Sequence, residues 1–411
     1  MDIALIMHEL LVEGGGERQC VSLARALAKQ GHQVTLYTCA YDREHCFPDI
    51  CKGLSIQVVG RGRFPRLGRL KFLRGYLDMK HLAAKVRDQH EIWNPHHWPA
   101  QWGAVWLKRK LGGKAVWMCN DVPAFYHLAR QPRGSAGFLR AAVYNLLYLY
   151  DRMQNKKMDL NVFLSHWAAD QFQLIYSGKT AVVRSGADPE RFRPGGDRDG
   201  IRRRFGCSDA DFLLLWLGIF MPHRRLQDAI QAVALLAKDG TRVKLLLAGS
   251  DRFSPEYAAT LRKQVADLGV ERNIIFSGKV ADEEIRDFYC AADAFLFPNE
   301  HQTWGLAVLE AMACGRPVLV STGAAVHEIL TDNQSAILFP PRNPPALAER
   351  ITGLMKDPGT RSEIAARGMK LVQGKYNWEQ FGLRMSWVFA QTSGGGGLAD
   401  REFSQELDTE R

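Results

Sequence analysis

The chain has 411 residues, a formal net charge of +10 and a hydrophobic fraction of 46%. This length predicts two domains rather than one core, and the hydrophobic fraction is that of an ordinary globular protein. The lack of a run of about 18 apolar residues argues against a membrane-spanning helix, and the eight scattered cysteines, without a CxxC pair, favour a reducing, cytosolic compartment.

The first half of the chain begins as a β-α-β series. Its first apolar run is IALIM, which we interpret as a strand and not as a signal peptide, because acidic Asp2 precedes it and no basic leader does. A glycine-rich loop and a helical pattern over residues 16–30 follow, and Gly31 is typical of a helix end. The next run, VTLYTC, predicts the second strand.

The same alternation returns in the second half, with apolar runs FLLLWLG, VKLLLAG, IIFSG, AFLFP and PVLVS separated by helical patterns. Such continuous apolar strands are typical of parallel sheets covered on both faces. Two series therefore predict two Rossmann-like, doubly wound α/β domains. We expect these domains over residues 1–185 and 186–374, a helix over 375–392 that packs back toward the first domain, and a disordered tail over 393–411.

Two stretches of the first domain, residues 50–77 and 122–150, contain no Asp or Glu. Their Arg and Lys residues alternate with Phe, Leu and Tyr, which suits an anionic membrane surface bound through 61–74 and 130–150. Nucleic acid would suit the same composition, but no nucleic-acid motif occurs elsewhere, so no nucleic-acid partner is expected. A solvated basic face is the simpler alternative.

A glycine-rich loop, EGGGERQC, places Gly14, Gly15 and Gly16 directly before a helix. Glycines at a helix N-terminus allow close backbone approach and offer N–H groups to an anion. The spacing is not G-x-G-x-x-G, because Gln19 stands at the last glycine position, and no Walker A lysine follows. The loop is therefore either an anion site or a tight strand-to-helix turn.

Two loops in the second half are candidates for a phosphate site. The stretch LGIFMPHRR ends a strand at Gly218 and carries Arg224 before the next helix. Open α/β sheets bind ligands at this end of their strands, and a guanidinium there can hold a diphosphate; an ordinary exposed arginine is the alternative. The stretch FLFPNEHQTWG enters a helix whose N–H groups at Trp304, Gly305 and Leu306 would face a phosphate.

Glu310 follows about one turn inside that second helix. A carboxylate accepts two parallel hydrogen bonds, so it suits the O2′ and O3′ hydroxyls of ribose. A carboxylate that only interacts with the helix dipole is the alternative. Together with Arg224 and the adjoining loop, Glu310 predicts a site for a nucleotide diphosphate.

These motifs resemble the retaining GT-B glycosyltransferases of family GT4 over nearly the whole chain. The resemblance rests on GGGERQCVSLARALAKQGHQVTLYT, SGADPERFRP, LGIFMPHRRLQDAIQAVALL, NIIFSGKV and WGLAVLEAMACGRPVLVSTGAAVHEIL. The first of these, followed by CAYDREHCF, is most similar to ALG2-type mannosyltransferases of lipid-linked oligosaccharide synthesis. The resemblance implies two Rossmann-like domains facing across a cleft, and a UDP- or GDP-sugar donor, with GDP-mannose preferred, rather than a cofactor.

The resemblance also implies roles for single residues. Glu310 matches the second Glu of the family's E-x7-E motif, which binds ribose. Gln302 replaces the first Glu, which contacts the donor sugar, and Glu300 is a nearby carboxylate that could substitute. Arg224 takes the place of one of the two cations that hold the diphosphate, whereas Ile219 replaces the other.

Further donor contacts are implied on the second domain. His223 or Arg225 could compensate for the missing cation, and the backbone at Lys279 and Val280 would face the base.

On the first domain, the resemblance implies contacts near the reacting sugar. Asn120 and Asp121 stand where the family often has a histidine and an aspartate close to the donor sugar. His96 and His97 occupy a neighbouring strand-end loop that suits the acceptor.

In the implied reaction a hexose leaves its nucleotide diphosphate with retention of configuration. Stabilisation of the leaving diphosphate is the main task, which falls to Arg224 and to the two helix N-termini. The sequence has no cluster of histidines and carboxylates with evident metal-ligand spacing, which predicts a metal-independent site. No carboxylate stands where a nucleophile is needed, which favours a front-face reaction in which the leaving phosphate takes the proton of the acceptor.

The predicted acceptor is a lipid-linked saccharide or glycolipid at the cytoplasmic face of the membrane, where the protein would bind peripherally. Two other functions use the same architecture. A sugar-nucleotide epimerase could draw acid and base groups from His96, His97 and Asp121. A non-catalytic nucleotide-sugar-binding subunit would account for the charges lost at Ile219 and Gln302.

Overall fold

The computed structural model describes residues 1–11, 14–61, 71–121 and 138–394, without the side chains of residues 71–72 and 138–144. The chain forms two compact units. One consists of Met1–Ser185 and the segment from Trp378 onward, and the other of Gly186–Asn377. The tail predicted over 393–411 lies outside the described residues, apart from residues 393 and 394.

The N-terminal unit contains a seven-stranded parallel sheet. Its strands are β1 (Asp2–Leu10), β2 (Gln33–Tyr41), β3 (Ser55–Val58), β4 (Ile92–His96), β5 (Lys114–Met118), β6 (Leu160–Phe163) and β7 (Thr180–Val182). The strand order is β3-β2-β1-β4-β5-β6-β7. The helices are α1 (Gly15–Lys29), α2 (Pro48–Cys51), α3 (Lys71–Lys85), α4 (Ala100–Leu111), α5 (Phe138–Asn155) and α6 (His166–Gln173).

The C-terminal unit contains a six-stranded parallel sheet. Its strands are β8 (Phe212–Leu217), β9 (Val243–Ala248), β10 (Ile274–Gly278), β11 (Ala294–Phe297), β12 (Val318–Ser321) and β13 (Ile337–Phe339), in the order β10-β9-β8-β11-β12-β13. The helices are α7 (Arg198–Arg204), α8 (Leu226–Lys238), α9 (Pro255–Leu268), α10 (Ile285–Ala291), α11 (Leu306–Ala313), α12 (Pro344–Lys356) and α13 (Pro358–Gly374).

The burial of the strands explains their apolar runs. Every residue of β4, β11 and β12 is buried, because helices cover both faces of a doubly wound sheet. The prediction of two doubly wound α/β domains is confirmed. In each sheet the order of connection reverses once, between β1 and β4 and between β8 and β11. Ligands of such sheets bind beyond the carboxyl ends of the strands at this reversal.

The chain returns to its first unit through α14 (Trp378–Ser393), which packs on α1. Gly382 allows this close approach, because a Cβ atom there would lie 2.7 Å from the Cβ of Ala26. The Nε2 of His32 also lies 2.7 Å from the hydroxyl of Ser386. All eight cysteines are among the described residues, and each is buried and outside any disulfide.

Candidate functional site

The candidate residues of the C-terminal unit follow the two strands at which its sheet reverses. Gly218 comes directly after β8, and its φ of +155° is a backbone conformation that favours glycine. A Cβ on the adjacent Gly249 would lie 1.7 Å from the carbonyl oxygen of Gly218. The ends of β8 and β9 can therefore meet this closely only because Gly249 lacks a side chain.

Arg224 ends a short 3-10 turn, Pro222–Arg224, between β8 and α8. Its Nη1 donates a hydrogen bond to Oε1 of Gln302 at 2.7 Å. Gln302 lies in the loop after β11, which is the strand next to β8. The structure thus brings together two predicted donor-site residues that are 78 positions apart in the chain.

Two charged residues predicted at this site are held in ion pairs. Arg225 binds the carboxylate of Asp228 through Nε and Nη2, at 2.9 and 3.0 Å. Glu300 accepts from Nε of Arg342 through both carboxylate oxygens, at 3.0 and 2.9 Å. Arg225 would have to leave Asp228 before it could supply the cation missing at Ile219. Glu300 would likewise have to leave Arg342 before it could supply the carboxylate missing at Gln302. These ion pairs therefore disfavour the two compensating roles suggested by the sequence.

Helix α11 begins beside the same loop. Gly305 is its N-cap, and its first turn contains no acidic residue. A Cβ on Gly305 would lie 2.9 Å from Cγ1 of Val326, so glycine is required for this packing. Leu306 opens the helix, and the indole of the preceding Trp304 is buried. The geometry keeps the α11 N-terminus suitable for an anion.

Glu310 is buried on α11, with 7% of its surface exposed. Its Oε2 accepts a hydrogen bond from the phenol of Tyr289 at 2.9 Å. This partner was not found from the sequence, because Tyr289 lies on α10, 21 residues away, within an ordinary apolar pattern.

The remaining donor-site residues of this unit follow β10. Lys279 is exposed and Val280 is half-buried, directly after Gly278, whose φ is +76°. Because β10 is separated from β8 by β9, these residues lie at the same end of the sheet as Gly218 but two strands away.

The predicted residues of the N-terminal unit follow β1, β4 and β5. Gly14 is the N-cap of α1, and Gly15 and Gly16 form its first two positions. A Cβ on Gly16 would lie 1.7 Å from Nε2 of His97. The third glycine therefore makes room for an imidazole that follows β4.

His97 lies close to two other predicted residues. Its Nδ1 lies 3.6 Å from Oδ2 of Asp121, and its Nε2 lies 3.5 Å from Nδ2 of Asn120. His96 differs, because burial lowers its pKa to about 3, with a smaller contribution from His97. Neutral His96 donates from Nε2 to Oδ1 of Asn94 at 3.0 Å. We therefore assign His97 to the site and His96 to the fold.

Glu17 lies near the site but was not predicted from the sequence. Its side chain folds back over the start of α1, where a Cβ on Gly14 would lie 2.2 Å from Oε2. Burial raises the pKa of this carboxyl group, the charge of His97 lowers it and Asp121 raises it. A carboxylate that covers this helix N-terminus disfavours the predicted phosphate contact at Gly14, Gly15 and Gly16, because like charges repel. Of the two candidate N-termini, α11 suits phosphate better.

The basic segment over 61–74 is partly neutralised by residues from elsewhere in the chain. Glu9 accepts from Arg61 at 2.7 Å and lies 3.5 Å from Arg74, which also approaches Asp78 at 3.7 Å. The ligand atoms of His8, Glu9 and Asp78 lie within 4.8 Å of one another, which a metal ion could use, but both carboxylates already contact guanidinium groups.

The rest of the predicted membrane segments is described only in part. Residues 62–70 and 122–137 lie outside the described residues. On α5, Leu146, Leu149 and Met153 are exposed by 69, 54 and 60% and recur at helical spacing. In the described part of the chain, no helix is both long and apolar enough to span a bilayer.

Comparisons with known proteins agree with this fold. Residues 13–191 match the model of Glycosyltransferase Family 4, and residues 197–371 match that of Glycosyl transferases group 1. A D-inositol 3-phosphate glycosyltransferase of Geodermatophilus obscurus is 26% identical over 390 residues, which are 89% of this chain and 82% of the relative. An uncharacterized glycosyltransferase of Methanocaldococcus jannaschii is 24% identical over 92% of this chain and 95% of its own.

Several solved structures have the same fold. HepE of Anabaena in complex with UDP-glucose superposes with a TM-score of 0.76 at 16% identity, covering 95% of this chain and 99% of its own. Sucrose-phosphate synthase of Thermosynechococcus elongatus has a TM-score of 0.76 at 20% identity, covering 96 and 99%. Fold and family models together define a GT-B glycosyltransferase. The chain belongs to the family 4 glycosyltransferases, with the group 1 domain as its C-terminal half.

Proposed function

We propose that the protein is a retaining, metal-independent hexosyltransferase that uses a nucleotide-diphosphate sugar. The observation that carries this proposal is the contact between Arg224 and Gln302 at the β8–β11 reversal, with Glu310 on α11, the helix that follows the Gln302 loop. A guanidinium and a helix N-terminus suit a diphosphate, and a buried carboxylate suits ribose hydroxyls. The HepE complexes, which contain UDP and UDP-glucose, support a donor of this class.

The proposed chemistry divides between these residues. Arg224 and the N–H groups of α11 stabilise the charge that develops on the leaving diphosphate. Gln302 fixes the guanidinium and, through its amide, can also contact sugar hydroxyls. In the N-terminal unit, His97 with Asp121 and Asn120 supplies polar contacts for acceptor hydroxyls. The reaction is of the front-face type, and a trapped covalent glycosyl-enzyme would overturn it.

A panel of donors tests the proposal. The purified chain is incubated with GDP-mannose, UDP-glucose and UDP-galactose, each with a polyprenyl-diphosphate saccharide, a diacyl lipid and inositol 3-phosphate as acceptors. GDP-mannose and the polyprenyl saccharide are the combination proposed here, and inositol 3-phosphate is included because relatives carry that name. Transfer with the α-configuration of the donor kept in the product supports the proposal. An epimer formed from the donor alone, or binding without turnover in EDTA and in Mg²⁺, would refute it.

Replacement of Glu310 by Gln is expected to weaken donor binding and to lower turnover at least about tenfold, or about 1.4 kcal/mol. The amide loses the charge-assisted hydrogen bonds that the carboxylate makes with ribose. Calorimetric titration with the donor and steady-state kinetics measure the two effects. Unchanged kinetics in a folded variant would show that Glu310 serves only the helix.

We also propose that the N-terminal unit binds an anionic membrane surface on its cytoplasmic side, where it would meet a lipid-linked acceptor. The exposed stripe Leu146, Leu149 and Met153 can enter the interface, while exposed Lys156 and Lys157 near the end of α5 stay with the headgroups. Each cation near such a surface contributes about 1 kcal/mol.

Sedimentation with liposomes tests this binding. The chain is expected to sediment with vesicles of anionic phospholipid at low salt, to dissociate as salt rises, and to ignore neutral vesicles, because salt screens charges beyond about 8 Å at physiological ionic strength. Serine at Leu146, Leu149 and Met153 should abolish sedimentation, whereas serine at the equally exposed Leu174 and Phe253 should not. Wild-type protein that stays in the supernatant at low salt would favour a soluble acceptor.

A further inference from the structure

The carboxylate of Glu310 depends on a fixed hydrogen-bond donor. A carboxyl group as buried as this one is stable only where hydrogen-bond partners face it. Tyr289 supplies such a donor, because its phenol O–H reaches Oε2 at 2.9 Å. A tyrosine that donates to a carboxylate uses one of its roughly four acceptor positions and fixes the orientation of the plane that contains the others.

The ring of Tyr289 is itself held in place. It has no exposed surface. The ring of Phe192 meets it edge-on at 6.0 Å and 78°, and the ring of Phe295 does so at 5.4 Å and 69°. Close packing of this kind restricts side-chain rotation, so the phenol stays directed at Glu310.

We propose that Tyr289 is a positioning residue that holds Glu310 for the O2′ and O3′ hydroxyls of ribose. It thereby helps the site to prefer ribonucleotides over 2′-deoxyribonucleotides. This inference rests on the proposed function, since it requires that Glu310 face a nucleotide. It adds a residue on α10 that acts only through Glu310 on the neighbouring α11.

The test compares binding of UDP, GDP and their 2′-deoxy forms by calorimetry. Wild-type protein is expected to bind the preferred ribonucleotide at least about tenfold more tightly than its deoxy form, because a lost hydroxyl leaves a buried polar group unpaired. Tyr289→Phe should weaken ribonucleotide binding about fivefold and deoxynucleotide binding less than twofold, in line with the net contribution of one hydrogen bond. The ratio of the dissociation constant of the deoxynucleotide to that of the ribonucleotide should therefore fall.

Two further variants separate positioning from general damage. Tyr37→Phe removes another buried phenol, which donates to Asp88 at 3.0 Å in the N-terminal unit, and should leave the ratio unchanged. Phe192→Leu loosens the packing around the Tyr289 ring but keeps the phenol. It should also lower the ratio of the two dissociation constants. This variant tests the role of Tyr289 in the same way if Tyr289→Phe fails to fold.

The outcomes for the inference and for the proposed function differ. Wild-type protein that binds none of the four nucleotides would refute the proposed function itself. Wild-type protein that discriminates, with Tyr289→Phe and Phe192→Leu keeping the full ratio, would overturn only the role of Tyr289. In the Glu310→Gln background, Tyr289→Phe should cause no further change in the ratio. A further narrowing there would show that Tyr289 acts independently of Glu310.

Discussion

Replacement of Arg224 by Ala is expected to lower the turnover number about a hundredfold, or about 2.7 kcal/mol, while it weakens donor binding less than tenfold. The guanidinium lies beyond the carboxyl end of β8 and is oriented by its 2.7 Å hydrogen bond to Gln302. A diphosphate gains charge as it leaves, so a fixed cation interacts with the transition state more strongly than with the bound donor.

Steady-state kinetics and donor titration together measure this difference. Arg204→Ala is a suitable control, because Arg204 lies in the same unit and forms a surface ion pair with Glu284 at 2.8 Å. Such exposed pairs contribute little, so the control should keep wild-type kinetics. If Arg224→Ala binds donor more weakly but turns over at the wild-type rate, Arg224 has a role in binding alone.

Much of the fold and part of the site follow from local sequence patterns. Continuous apolar runs bounded by glycine predict buried parallel strands, and the residues just after such strands lie at one edge of the sheet. This reasoning placed Arg224 near the loop FLFPNEHQTWG, and in the structure Gln302 of that loop lies 2.7 Å from Arg224. The resemblance to family GT4, rather than this reasoning, placed Asn120 and Asp121 near the strand-end loop that contains His97.

Other features depend on side-chain packing that no local pattern encodes. The Arg225–Asp228 pair has a recognisable i, i+3 spacing, but the partner of Glu300 is 42 residues away. The conformation of Glu17 over Gly14 depends on a rotamer, so the glycine loop looked like an open anion site. Likewise, acidic residues are absent from 50–77 in sequence, yet Glu9 reaches Arg61 in space.

Asp151 is a buried carboxyl group whose structural role was not predicted from the sequence. It lies on α5 with 2% of its surface exposed. Its Oδ1 accepts from Nε1 of Trp102 at 2.6 Å and from Nε2 of Gln101 at 3.1 Å, and its Oδ2 accepts from the hydroxyl of Tyr176. Burial raises the pKa of Tyr176, with a further contribution from Asp151, so the phenol keeps its proton and remains a donor. The carboxylate therefore joins α4, α5 and the segment after α6.

Replacement of Asp151 by Ala is expected to lower the free energy of unfolding by about 3 kcal/mol, because three buried donors lose their acceptor.

Burial raises the pKa of Asp151 from 3.8 to about 6, against the effect of its hydrogen bonds. A raised pKa means that the folded state binds the proton more tightly, so this group stabilises the fold below pH 4 and loses that contribution as pH rises through 6. Asp151→Asn cannot titrate, and the stability of the wild type relative to it should therefore increase by about 2 kcal/mol from pH 7 to pH 4. Urea unfolding followed by tryptophan fluorescence measures both variants, and charges elsewhere cancel in the comparison. A difference between the wild type and Asp151→Asn that is the same at both pH values would show that Asp151 is ionised throughout, with its hydrogen bonds outweighing its burial.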